Sequence, residues 1–105
     1  MTYEELLRSA IEVRKKYDLL NERNNTEWDE SAFMAGFVGD VGDLSKLVMA
    51  KTGLRHIDDV DAKLAHELAD CLWSVLVLAD KYNIDLAKEF QKTMAELNER
   101  IDPKL

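Results

Sequence analysis

Scarcity narrows this sequence before any motif does. A single cysteine, Cys71, rules out an intrachain disulfide and fits a reducing, cytoplasmic setting. One proline and four glycines are too few for a chain of tight turns, and no stretch alternates apolar and polar residues for long. Long hydrophobic runs are missing too. The most apolar stretch, Leu68 to Ala79, is broken by Asp70 and Ser74 and is too short to span a bilayer. The opening MTYEELLRSA lacks the basic-then-apolar pattern of a secretory signal. Basic residues are outnumbered, 14 Lys and Arg against 21 Asp and Glu, for a net charge of -7. A field of that sign repels phosphate backbones, so polymeric nucleic acid is not an expected partner. A small nucleotide accompanied by Mg²⁺ is not excluded, because the ion reverses the local sign. There is no GxxxxGK phosphate loop, no GxSxG elbow, and no Cys/His/Asn set around Cys71, which reads as a small hydrophobe.

What the chain does have is helical period. Its 105 residues are 47% hydrophobic and 33% charged, enough for one domain spanning residues 1–105 and hardly a second. Thr2 and Glu5 form a capping-box pattern ahead of an apolar stripe of Leu6, Leu7, Ala10, Ile11, Val13, Tyr17 and Leu20. Polar residues from Asn21 to Glu30 break it, with Asn24-Asn25-Thr26 as the loop. A second helix is predicted from Ser31 or Ala32 to about Lys51, before Thr52-Gly53. A third runs from near Asp58-Asp59 to Lys81 or Tyr82. A fourth starts around Ile84-Asp85 and repeats Leu86, Phe90, Met94, Leu97 and Ile101 up to Pro103. The fold class is therefore all-α, a four-helix bundle. The third helix is apolar nearly all round, which demands cover on every side. Three short helices in so small a chain cover it poorly, so a second copy is expected to complete the bundle as a homo-oligomer.

Carboxylates stand where a core would not put them. At about 100° per residue, Asp40 falls within the stripe of Phe33, Phe37, Leu44 and Leu47, and Asp43 lies at its edge. Lys63, Glu67, Asp70 and Ser74 form a row along the apolar third helix. Two acid pairs at i, i+3 thus interrupt two faces that should be buried, where an unpaired carboxylate must be neutralised, paired or metal-bound. Lys46 and Lys63 cannot match four acids. Hard oxygen donors without thiol or imidazole pairs suit Mg²⁺, with Mn²⁺ as a substitute, rather than Zn²⁺. The alternative is a solvated seam or ordinary inter-helix salt bridges. Gly36, Gly39 and Gly42, three helical glycines at spacing three, suggest close approach of another helix or of a ligand. Trp28 is either an aromatic that stacks on a base or a hydrophobic lid.

The segments Gly39-Asp-Val-Gly-Asp-Leu44, His66-Glu-Leu-Ala-Asp-Cys-Leu72 and Leu78-Ala-Asp-Lys-Tyr-Asn-Ile-Asp-Leu86 resemble the MazG-like all-α nucleoside triphosphate pyrophosphohydrolases. These carry an EVGEL-type ExxE and then an ExxD before a long apolar helix. Glu27-Trp28-Asp29 is similar to the aromatic segment that precedes the first motif in many of them. The resemblance implies Mg²⁺-dependent cleavage of a (deoxy)nucleoside triphosphate between the α- and β-phosphates, giving monophosphate and pyrophosphate. It implies Asp40, Asp43, Glu67 and Asp70 as metal-holding and catalytic groups, one of the carboxylates or the metal activating water. Lys46, Lys51, Arg55 and Lys63 become candidate phosphate contacts and Trp28 a base contact. It also implies a homodimer or homotetramer.

The first motif departs from the pattern, with aspartate at both glutamate positions. Each is one carbon–carbon bond, about 1.5 Å, shorter in reach, so either the helices come closer, which Gly36, Gly39 and Gly42 would permit, or a water bridges the gap. The alternative reading is a catalytically weakened or inactive helical oligomer that serves as an interaction module. A ferritin-like di-iron bundle is excluded, because Lys46 and Trp73 stand where Glu-x-x-His motifs need histidine. A phosphoribosyl-ATP pyrophosphatase shares the architecture, but the DVGDL segment fits the MazG-like pattern better.

Overall fold

The computed structural model describes residues 1–105 and is built from α1 (Tyr3–Arg23), α2 (Glu30–Lys51), α3 (Val60–Lys81), α4 (Leu86–Ile101) and a closing 3₁₀ turn at Asp102–Lys104. The capping box forms as expected. The Glu5 amide donates to Thr2 Oγ1 at 3.2 Å, and the Thr2 amide donates to the Glu5 carboxylate at 3.4 Å. Asp29 and Asp85 cap α2 and α4 through their carboxylates, which accept from Ala32 N at 2.8 Å and Lys88 N at 3.2 Å.

Three helices end alike. After α1, α2 and α3 the chain turns through Asn25, Gly53 and Asn83, each at positive φ. The following amides, Thr26, Leu54 and Ile84, reach back to Asn21, Met49 and Ala79 carbonyls. This is the left-handed C-terminal turn that only Gly and Asn enter readily. It explains why α1 runs on to Arg23 although its apolar pattern stops earlier: Asn21 to Arg23 are polar but still helical, and Asn25 ends the helix.

α2 and α3 are antiparallel and pinned at both ends. Lys51 at the C-terminus of α2 meets Asp61 at the start of α3 at 2.7 Å, and Lys81 at the far end of α3 meets Glu30 at 3.1 Å. Exposed pairs of this kind contribute about 0–1 kcal/mol each, so they set register more than stability. α1 lies against α3. Trp73 donates its indole N–H to the Ala10 carbonyl at 3.0 Å and tilts against the rings of Tyr17 and Phe33. The core is small: Ala10, Phe33, Leu47, Ser74, Leu76, Val77 and Ala79 are the only buried residues.

The four expected helices form, but the bundle is not closed within one chain. α4 packs chiefly against the 3₁₀ turn that follows it, and none of its residues is buried. Its apolar side is open, with Phe90 61% exposed and Leu97 and Ile101 nearly half exposed. The radius of gyration is 16.9 Å, against about 13 Å for a compact chain of this length. The accessible surface is 8126 Å², against roughly 6,000 Å² for a folded monomer of this mass. The physical reason is that the apolar side of α4, with Leu68 and Leu72 on α3, exceeds what α1 and α2 can cover within one chain. No helix is long and apolar enough to cross a membrane.

Candidate metal centre and flanking cavities

The antiparallel pairing of α2 and α3 carries the two acid pairs past one another near mid-helix. Carboxylate oxygens of Asp40, Asp43 and Glu67 lie within 4.8 Å of one another. Asp70 stands just outside that trio, one of its oxygens 3.3 Å from His66 Nε2. It remains close enough that its charge is felt by both Asp40 and Glu67. Glu67 Oε1 is shut off from solvent and has no hydrogen-bond partner.

The electrostatics follow from this crowding. The Glu67 carboxyl is pushed above its ordinary range, first by burial and then by Asp40, Asp70 and Asp43, with His66 opposing weakly. Asp40 is pushed up by burial, then by Asp70 and Asp43. Cys71, on the next position of α3, is held as a thiol by burial and by the same acids. No Lys or Arg of the chain forms an ion pair with the trio.

The residues present fit a hard divalent cation. All donors are carboxylate oxygens, one of them buried and unsatisfied. Oxygens sharing one ion at about 2.1 Å stand at most about 4.2 Å apart, so a small side-chain adjustment closes the set. The shorter aspartates of the first motif do not keep the oxygens apart.

Two cavities flank the acids, toward opposite ends of the helix pair. One of about 540 Å³ is bordered by Asp43, Lys46, Asp59, Lys63, His66 and Glu67. The other, about 360 Å³, is largely aromatic, bordered by Tyr17, Trp28, Phe33, Phe37 and Trp73, with Asp40 and Ser74 at its wall. The row Lys63–Glu67–Asp70–Ser74 read from the sequence thus runs from one cavity to the other. Lys46 and Lys63 reach the first cavity. Lys51 does not, being engaged by Asp61, and Arg55 lies exposed in the α2–α3 loop and borders neither.

Trp28 is half exposed and seats its ring on α2 at Gly36, where an added Cβ would come within 3.3 Å of the indole. Gly36 therefore makes room for Trp28, whereas Gly39 and Gly42 face open space rather than a neighbouring helix. Sequence reasoning passed over Arg14, Asn21, Tyr17 and Trp73, which border the aromatic cavity. Arg14 was open to discovery by the test that found the acids. It lies one turn from Ala10 and from Tyr17, a charge set inside the apolar stripe of the first helix.

A family model described as the MazG nucleotide pyrophosphohydrolase domain matches residues 30–104, that is, α2 through α4 with all four acids. No curated protein and no solved structure matches the chain.

Proposed function

The chain belongs to the MazG nucleotide pyrophosphohydrolase family, and from that premise we propose that it is a Mg²⁺-dependent enzyme converting nucleoside triphosphates to monophosphates and pyrophosphate. One observation carries the proposal: three carboxylates from two helices converge, with a buried, unsatisfied oxygen among them, beside a lysine-lined cavity. Asp40, Asp43, Glu67 and Asp70 would hold the ion, or a pair of ions. Bound there, the metal neutralises phosphate charge and polarises the α-phosphoryl group.

The remaining work falls to the chain itself. Lys46 and Lys63 line the cavity into which the β- and γ-phosphates extend, and their charge stabilises the leaving pyrophosphate. Trp28 and the other rings of the second cavity hold the base, leaving the α-phosphorus beside the carboxylates. Whichever of the four carboxylates is left free of the ion is placed to take the proton of the attacking water. The test is a panel of ribo- and deoxynucleoside triphosphates with Mg²⁺ or Mn²⁺, followed by pyrophosphate release. At least one should give equimolar monophosphate and pyrophosphate, and orthophosphate as the sole product would overturn the assignment.

We also propose that the working form is a homodimer or homotetramer. The excess surface, the open apolar side of α4 and exposed Leu68 and Leu72 on α3 support it, together offering a face that a second copy would cover. Sedimentation equilibrium at micromolar concentration is expected to give two or four times the chain mass. Leu72→Asp should shift the population toward monomer, and a wild-type chain that is monomeric throughout would remove this part of the proposal.

A further inference from the structure

The aromatic cavity contains one charged group that the reaction does not use. Arg14 borders it, its side chain 14% exposed, with the guanidinium 5.0 Å over the Phe33 ring. Nε is engaged by Asp18 at 2.9 Å. Nη1 is closed off from solvent and has no partner. A buried guanidinium nitrogen without an acceptor is costly, and a fold that keeps one beside a cavity leaves a place for an acceptor to arrive. The phosphate cavity is elsewhere, beyond the acids.

We propose that Arg14 reads the nucleobase, selecting those with a keto oxygen at purine C6 or pyrimidine C4, namely guanine, uracil and thymine, over adenine and cytosine, which carry an amino group at that position. This deepens the nucleotide reading given above and rests on it. The cavity, at about 360 Å³, has the size of a small-ligand site and accepts either ring system. Stacking on Trp28 and Trp73 favours every base alike, since each has a π-face. Discrimination must come from the edge. Guanine offers O6 and N7 and uracil offers O4, all acceptors for guanidinium N–H groups. Adenine and cytosine place an amino group where the keto oxygen stands, so donor meets donor. Nη1 is the guanidinium nitrogen left without a partner at this wall, so an acceptor on the edge of a stacked base meets an unused donor there while Nε keeps Asp18. Asn21, also on the wall, does not discriminate, because its amide both donates and accepts.

Binding of nucleoside monophosphates, followed through the indole N–H resonances of Trp28 and Trp73 and the Arg14 Nε–H resonance, tests this without hydrolysis. GMP and UMP are expected to bind about tenfold more tightly than AMP and CMP, the scale of a hydrogen bond to a charged group. In Arg14→Met, a side chain of similar length without donors, that preference should vanish while the weaker AMP and CMP affinities stay within about twofold. Equal binding of all four by the wild type overturns the proposal. So does an equal loss for all four in Arg14→Met, which would make Arg14 a phosphate contact. Selective binding together with a triphosphate panel that releases no pyrophosphate would sink the enzymatic reading and leave the base preference standing.

Discussion

Glu67→Gln is expected to lower pyrophosphate release by about a thousandfold while leaving the fold intact. Glutamine keeps the length and shape of the side chain, so packing between α2 and α3 is preserved. What it removes is the charge at the one ligand oxygen that is both buried and unpartnered. A divalent ion at a phosphoryl centre contributes several kcal/mol of transition-state stabilisation, and losing about 4 kcal/mol corresponds to about three decades in rate. The decisive measurement is kcat/KM for the best triphosphate of the panel, with circular dichroism on the same sample. A variant that kept more than a tenth of wild-type activity would mean that Glu67 holds no essential metal. Raising the Mg²⁺ concentration should recover part of the loss, because Asp40 and Asp43 remain.

Adding Mg²⁺ to the metal-free protein is expected to raise Tm by roughly 10–20 °C. A ligand at a hundred times its Kd stabilises the native state by about 2.7 kcal/mol, and each kcal/mol moves a domain of this size by about 4–8 °C. The sign of the pH dependence belongs to the same experiment. Glu67 and Asp40 both hold their protons more tightly when folded than when unfolded. Between the ordinary carboxylate range and those raised values the folded chain therefore binds more protons than the unfolded one, and stability falls as pH rises through that window. Without metal, Tm should climb as pH drops through that window, before acid unfolding sets in. With saturating Mg²⁺ the trend reverses, since protons compete with the ion. Glu67→Gln should flatten the metal-free slope and shrink the Mg²⁺ shift together. A Tm indifferent to Mg²⁺ at millimolar concentration would refute the ion site even if some activity were found.

The helices were legible because their signals are local. Thr2 with Glu5, Gly53, and the apolar spacing of Leu86, Phe90 and Met94 each act within a turn or two of chain. The acids were legible for a different reason: an ionised group inside an apolar stripe is a conflict that must be resolved, and such conflicts show in one dimension. What stayed hidden depends on distances between elements. Whether α4 joins the other helices turns on which surfaces have spare capacity, and that is not encoded at any one residue. Lys51 and Lys46 are both basic residues near the end of the second helix, yet only the structure shows one engaged by Asp61 and the other at the cavity. Gly36, Gly39 and Gly42 look equivalent in sequence, but only Gly36 has a neighbour, the ring of Trp28.

The placement of the two cavities has a bearing on traffic. Because the lysine-lined and the aromatic hollows lie toward opposite ends of the α2–α3 pair, with the acids between them, a nucleotide spanning both has a single permitted heading. In the proposed reaction, cutting its chain of phosphates would leave each fragment at a separate doorway. On that reading neither has to wait for the other to depart, and a large excess of one should refill only its own hollow.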